Sequence, residues 1–206
     1  MFDFQVKQIM RSLPIAGAIL LCAVSANGQQ KSHYYVGSSD IAITFAAERS
    51  SHVSGNDLWL EGGAIELHKN IYRHLGFAAS VTGGTTTSST PQVAPFSFVT
   101  TVFGPTYTMS TKSERYSVFA EGLVGESNGF HSLFTIGSGP TGSGVGTTSS
   151  TNSFAVQAGG GVDVRLTHHF AIRVAQVDYV RTQFPNGSTD VQNVLKVAGG
   201  VVLRFR

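Results

Sequence analysis

The chain has 206 residues, of which 13% are charged, and a formal net charge of +2; soluble domains usually carry ~25% charge. In place of charge stand 24 Gly, 23 Ser and 19 Thr, beside 14 Phe and 6 Tyr. That excludes a coiled coil, which needs abundant Ala, Glu, Lys and Leu. It excludes a charged disordered tail, which cannot carry so many aromatics. Nucleic acid is not an expected partner, because the 14 Lys and Arg form no basic cluster.

In chain order, Lys7 and Arg11 precede an apolar run at 13–24, and small residues follow at Ser25, Ala26 and Gly28. A run of this length is too short to span a bilayer as a helix, which needs ~20 residues. Positive charge, a short apolar run and small residues together predict a secretory signal over 1–28, cleaved after Ala26 or Gly28. The one cysteine, Cys22, falls inside it. The exported chain is then free of disulfides, and no lipidation is expected because Leu21 precedes Cys22 where a small residue is needed. Residues 29–39 read as a short periplasmic segment, and 40–206 as the folded domain.

Period-two alternation then predicts eight strands. Residues 40–48 set Ile41, Ile43 and Phe45 against Ala42, Thr44 and Glu48. Residues 58–68 set Trp59, Ile65 and Leu67 against Ala64 and Glu66, and 75–82 set Phe77 and Val81 against Gly76 and Ser80. Residues 96–109 are aromatic and β-branched, with an expected break at Gly104-Pro105. Residues 116–124 put Ser117 and Glu121 on one face, which Phe119 and Leu123 share. Residues 153–166 set Phe154, Val156, Val162 and Val164 against Gln157, Asp163 and Arg165. In 170–182 the phase slips, so that Gln176 and Asp178 fall among apolar positions; a bulge near Ala175 is expected. Residues 194–205 set Leu195, Val197 and Val201 against Lys196, Gly200 and Arg204.

These strands suit a tilted membrane span of ~9–11 residues better than the ~5–6 of soluble sheets. Long Gly/Ser/Thr-rich loops are expected at 49–57, 84–95, 126–152 and 184–190, alternating with turns at 69–74, 110–115 and 167–169. Long loops at one end and short turns at the other imply an outer-membrane barrel: all-β, eight-stranded, antiparallel and up-and-down. A soluble periplasmic ligand-binding barrel is the competing architecture, but it needs charge along its outer face.

The run from Phe154 through Gly159-Gly160-Gly161-Val162-Asp163-Val164-Arg165 to Asp178-Tyr179 resembles the last hairpins of bacterial outer-membrane β-barrel domain proteins of the OmpA/OmpX-like type. Residues 72–81 and 103–107 resemble earlier segments of the same proteins. The resemblance implies a small barrel inserted by the barrel-assembly machinery, in contact with outer-membrane lipid and located in the bacterial outer membrane. Such proteins usually end on a Phe read during assembly; here Phe205 has that spacing and Arg206 follows. The peptidoglycan-binding domain of larger relatives is not expected.

Candidate chemistry is sparse. The run 137–142 matches G-x-G-x-x-G but leaves no strand for a helix, so it reads as a loop. Adjacent strand residues point opposite ways, so His168 and His169 cannot chelate one ion. His52 and Ser54 lie in an expected loop with no carboxylate placed beside them, and the triplet at 186–188 reads as a turn. His33, His68, His74 and His131 share no ligand spacing. No catalytic residue, metal ligand or cofactor is expected. Trp59, Tyr72, Tyr107, Tyr116 and Tyr179 are candidates for interfacial girdles.

The polar faces carry the one constellation worth naming. Glu66, Glu121, Asp163, Arg165, Arg173 and Arg204 fall in the inward phase, and hairpin arithmetic about His168 sets Asp163 opposite Arg173. An interior charge cluster is therefore expected. The functional expectation is a monomeric barrel with a structural or surface-interaction role carried by its long loops, whose partner the sequence does not name. The alternatives are an envelope-lipid-modifying enzyme and a narrow channel.

Overall fold

The computed structural model describes residues 38–53, 56–86, 96–111, 113–136, 146–184 and 191–205. The expected signal over 1–28, residues 29–37, His33, Ser54, the glycine-rich run 137–142, the triplet 186–188, Arg206 and the side chains of His52, Trp59 and His131 lie outside them. Eight strands form the described chain: β1 Ser39–Val53, β2 Asn56–Tyr72, β3 Leu75–Thr86, β4 Ser97–Ser110, β5 Tyr116–Ile136, β6 Gly146–Arg165, β7 Phe170–Thr182 and β8 Gln192–Phe205. Each pairs with its chain neighbours, and β8 closes on β1. Both closing ladders are antiparallel, with Ile43 opposite Val201 and Ile65 on its two sides. Among the described residues there is no helix.

The first short turn is tighter than the sequence implies. Only Arg73 and His74 separate β2 from β3, and Arg73 takes a left-handed φ of 47°. At the opposite end the expected loops 49–57 and 126–152 are largely strand. β1 continues to Val53, β5 to Ile136, and β6 begins at Gly146. There Phe134, Thr135 and Ile136 pair with Thr148, Thr147 and Gly146. The physical reason is solvent. Solvated strand needs no apolar face, so a Gly/Ser/Thr-rich sequence without alternation can still pair through its backbone.

The expected break at Gly104-Pro105 is also absent, because β4 runs through it with Pro105 opposite Phe77 of β3. The ladder to β5 passes over Gly104 and Pro105 and resumes in register at Thr106–Glu121; proline has no N–H to donate there. The bulge in β7 is real: register shifts between Arg173 and Gln176, and Val174 and Ala175 both face outward. That extra residue turns Gln176 and Asp178 into the barrel beside Arg173 rather than toward lipid.

The burial pattern is the reverse of a soluble barrel's. Phe45 is 64% exposed and Phe103 61%, whereas Arg173 is 2% and Lys196 0% exposed. Tyr72, Tyr107 and Tyr116 face outward close to the short turns, with Arg73 and Arg115 over the rings of Tyr72 and Tyr116. Tyr179 faces outward nearer the other end and donates its hydroxyl to Asn193 at 2.6 Å. An apolar band between aromatic belts is the surface that a bilayer solvates.

Candidate functional site

An eight-stranded barrel has room only for side chains, and here they are polar. Arg173, on the stretch of β7 just before its bulge, is the centre. Its Nε donates to Asp163 Oδ1 at 3.0 Å, as the hairpin register of Asp163 opposite Arg173 requires. Its Nη1 donates to Glu66 Oε2 across the lumen and to Gln176 Oε1 at 2.9 Å. The guanidinium lies 4.2 Å from the centre of the Phe119 ring. Phe119 fits because Gly161 faces it; a Cβ at Gly161 would stand 2.8 Å from Phe119 Cε1.

The network continues along the lumen. Gln176 Nε2 donates to Glu66 Oε1 at 2.8 Å and to Asp178 Oδ2 at 2.9 Å. Lys196 Nζ pairs with Asp178 Oδ2 at 2.9 Å and donates to Gln157 Oε1 at 3.3 Å. Gln157 Nε2 donates to Glu121 Oε1 at 3.0 Å. Toward the short turns, Arg204 donates to Ser117 Oγ at 2.8 Å and lies 3.6 Å from both Asp40 and Asp163. His68 Nε2 is 3.3 Å from Glu66 Oε2, and its ring meets Phe119 edge-on at 5.4 Å.

Of the six residues expected inside, Glu66, Glu121, Asp163, Arg173 and Arg204 are buried there. Arg165 is not one of the cluster. It is the last residue of β6, half-buried, and its Nη1 donates to Glu114 Oε2 at 2.5 Å in the turn before β5. The strand ends before its side chain reaches the lumen, and Glu114 takes a left-handed φ of 51° in that turn. The cluster named from the sequence left out Lys196, Asp178, Gln176, Gln157, Glu48 and His68, all buried. The inward phase of β8 and β2 marks Lys196 and His68; Gln176 and Asp178 become legible only once the bulge is placed.

The arrangement restrains more than it reacts. His68 Nε2 and Ser80 Oγ both address Glu66, at 3.3 and 3.5 Å, rather than each other. A hydrolase needs its hydroxyl on the imidazole. His74 Nδ1 is held 2.9 Å from the Thr108 carbonyl oxygen, and His168 and His169 lie exposed in the turn before β7. One set does have ligand character: Glu66, His68 and Glu121 offer atoms that all lie within 4.8 Å of one another. The sequence hides it because β5 and β2 are not neighbours in the sheet.

No protein-family model matches the chain, and no curated protein does. Solved structures do. Neisserial surface protein A superposes with a TM-score of 0.60 at 14% identity, covering 82% of this chain and 99% of that one. The attachment invasion locus protein Ail of Yersinia pestis gives 0.52 at 17% identity, covering 83% and 100%. Ail in complex with the heparin analogue sucrose octasulfate gives 0.53 at 19% identity, covering 83% and 100%. At these identities the likeness is one of fold: this chain shares the closed eight-stranded antiparallel barrel of these outer-membrane proteins, with an apolar outer band and a polar lumen.

Proposed function

We propose that the protein is a sealed outer-membrane barrel that acts through the hairpin formed by β5 and β6. The observation that carries this is length. β5 and β6 have 21 and 20 residues, against 12 to 14 for β3, β4, β7 and β8. β4 pairs with β5 only as far as Phe130, and β7 with β6 only as far as Ala155. Beyond Phe130 of β5 and before Ser150 of β6, the described strand residues pair only with each other. In this reading the long loops face the outside of the cell and both chain ends face the periplasm, as in other small barrels. The barrel's immediate partner is outer-membrane lipid, and it works as a monomer delivered by a signal peptide and the barrel-assembly machinery.

A filled lumen argues against a diffusive channel: the side chains of Arg173, Lys196, Leu123, Gln157, Gln176 and Glu66 are all less than 2% or barely 2% exposed. Among the described residues, His68 and Ser80 both address Glu66 rather than each other, which gives lipid hydrolysis no support there. Ail has been solved with a sulfated sugar, but residues 126–152 here contain no Lys or Arg. Their Phe, Ser and Thr favour a neutral partner, a glycan or protein surface engaged by hydroxyls and aromatic rings. Replacing residues 131–149 by Asn-Gly closes the hairpin with a two-residue turn. Cells displaying the intact protein should bind one or more members of a panel of immobilised glycans and matrix proteins, and cells with the shortened hairpin should lose that binding. Equal binding by the two, or none above cells lacking the protein, refutes the reading.

A further inference from the structure

The lumen holds more acid than base. Among the described residues, Asp40, Glu48, Glu66, Glu121, Asp163 and Asp178 are buried carboxylates, against Arg173, Lys196 and Arg204 as buried cations. Contacts distribute the cations unevenly: Arg173 holds Asp163 and Glu66, Lys196 holds Asp178, and Arg204 lies between Asp40 and Asp163. Glu121 makes no ion pair with any of them. It is 7% exposed, its Oε1 accepts from Gln157 and Gln176, and its Oε2 has no hydrogen-bond partner. A buried carboxylate oxygen without donor or counter-charge is expensive.

The same Glu121 carboxylate belongs to a cluster with Glu66 and His68, in which each residue offers one ligand atom and these atoms all lie within 4.8 Å of one another. We infer that Glu66, His68 and Glu121 form a binding site for one divalent transition-metal ion, of the class typified by zinc. An imidazole with two carboxylates selects a borderline ion over magnesium or calcium, which prefer all-oxygen sites. Ligand bonds of ~2.0–2.2 Å place tetrahedral donors about 3.4 Å apart, so the three side chains close by roughly 1 Å on binding. His68 Nε2 leaves Glu66 and turns to the ion. Arg173 and Gln176 keep Glu66 oriented, as outer partners orient metal-bound carboxylates elsewhere. The ion supplies the counter-charge that Glu121 lacks. Because Glu66 and His68 stand on β2 and Glu121 on β5, it also ties two walls that share no ladder.

The probe is zinc alone, and the protein is the full exported chain, without a histidine tag, refolded in detergent with and without zinc and then desalted. Metal analysis should give about one zinc per chain, and zinc should raise the unfolding midpoint. Glu121→Gln, which keeps the hydrogen-bonding shape, and His68→Gln should each fall below a tenth of that stoichiometry. His168→Gln with His169→Gln, on the exposed turn, should retain it. Fold is checked for every variant by heat-modifiable gel migration. Less than about 0.2 zinc per folded chain overturns the site. So does retention in folded Glu121→Gln and His68→Gln, or loss in the double turn variant. Should both lumen variants fail to fold, visible absorption of the cobalt(II)-loaded wild type decides: tetrahedral bands support the site, and their absence refutes it.

Discussion

Arg173→Met is the most informative single change. Methionine fills much of the same volume without charge or donors, so it isolates what the guanidinium supplies. Three acceptors lose it: Asp163 Oδ1 at 3.0 Å, Gln176 Oε1 at 2.9 Å and Glu66 Oε2. Removing one partner of a buried pair typically costs ~3–5 kcal/mol. Two carboxylates are stranded here, yet doubling that figure overstates the loss. Asp163 retains Arg204 at 3.6 Å, and Glu66 retains Gln176 at 2.8 Å and His68 at 3.3 Å. The guanidinium's stack on Phe119 adds a desolvated cation–π contact of ~2 kcal/mol at most. An expected loss of about 4–5 kcal/mol follows from those contributions. The internal control is Arg165→Met, whose pair with Glu114 stands 20% and 25% exposed and should cost ~0–1 kcal/mol. Reversible urea unfolding in lipid vesicles measures both. The charge swap Asp163→Arg with Arg173→Asp adds a sharper constraint. Were the two residues an isolated pair, the swap would restore stability. Here it places Asp at 173 against Glu66 and Gln176, so most of the loss should remain. If Arg173→Met costs under ~1 kcal/mol, or matches Arg165→Met, the lumen network does not hold the barrel together in the way argued.

Other perturbations test separate parts of the structure. Ala158→Arg puts charge on the outward face and should cost ~2–4 kcal/mol, read as a reduced folded band on an unheated gel; an unchanged band places that face away from lipid. Gly161→Ala forces a Cβ to within 2.6 Å of the Ala175 carbonyl oxygen and 2.8 Å of Phe119 Cε1 and should destabilise by ~1–3 kcal/mol as overpacking does, with Phe119→Leu recovering only the part due to the ring in the same unfolding assay. Replacing 131–149 by Asn-Gly should shift stability by less than ~1 kcal/mol, because surface changes away from packed contacts usually stay small; a barrel that no longer folds shows that the hairpin belongs to the wall. Ser143→Cys, in an exported chain freed of Cys22, should take up an impermeant maleimide on intact cells, and labelling seen only after lysis inverts the topology. The wild-type protein in planar bilayers should give no steady conductance, since a persistent open level contradicts a lumen closed by Arg173 and Lys196.

Much of this protein is legible in its sequence, and for one reason: a barrel wall between lipid and a filled lumen imposes a strict period of two. Ile41, Ile43 and Phe45 against Ala42, Thr44 and Glu48 give both the strand and its facing, and the same holds for β2, β3, β6 and β8. The bulge in β7 is readable because Gln176 and Asp178 break that period, and the Asp163–Arg173 pair because a short turn fixes the register. Where the period stops carrying information, the sequence stops too. The outer halves of β5 and β6 are rich in Gly, Ser and Thr and carry no alternation, so strand there looks like loop. Pro105 looks like a strand end, but a closed sheet supplies β3 as a second neighbour that holds β4 straight through it. Contacts across the lumen are the remaining gap. Glu66 meets Arg173 107 positions away, and Gln176 110 positions away, because closure of β8 on β1 decides which inward residues share a level. Alternation sorts residues into inside and outside; only the stagger of the closed sheet determines which of the inside residues touch.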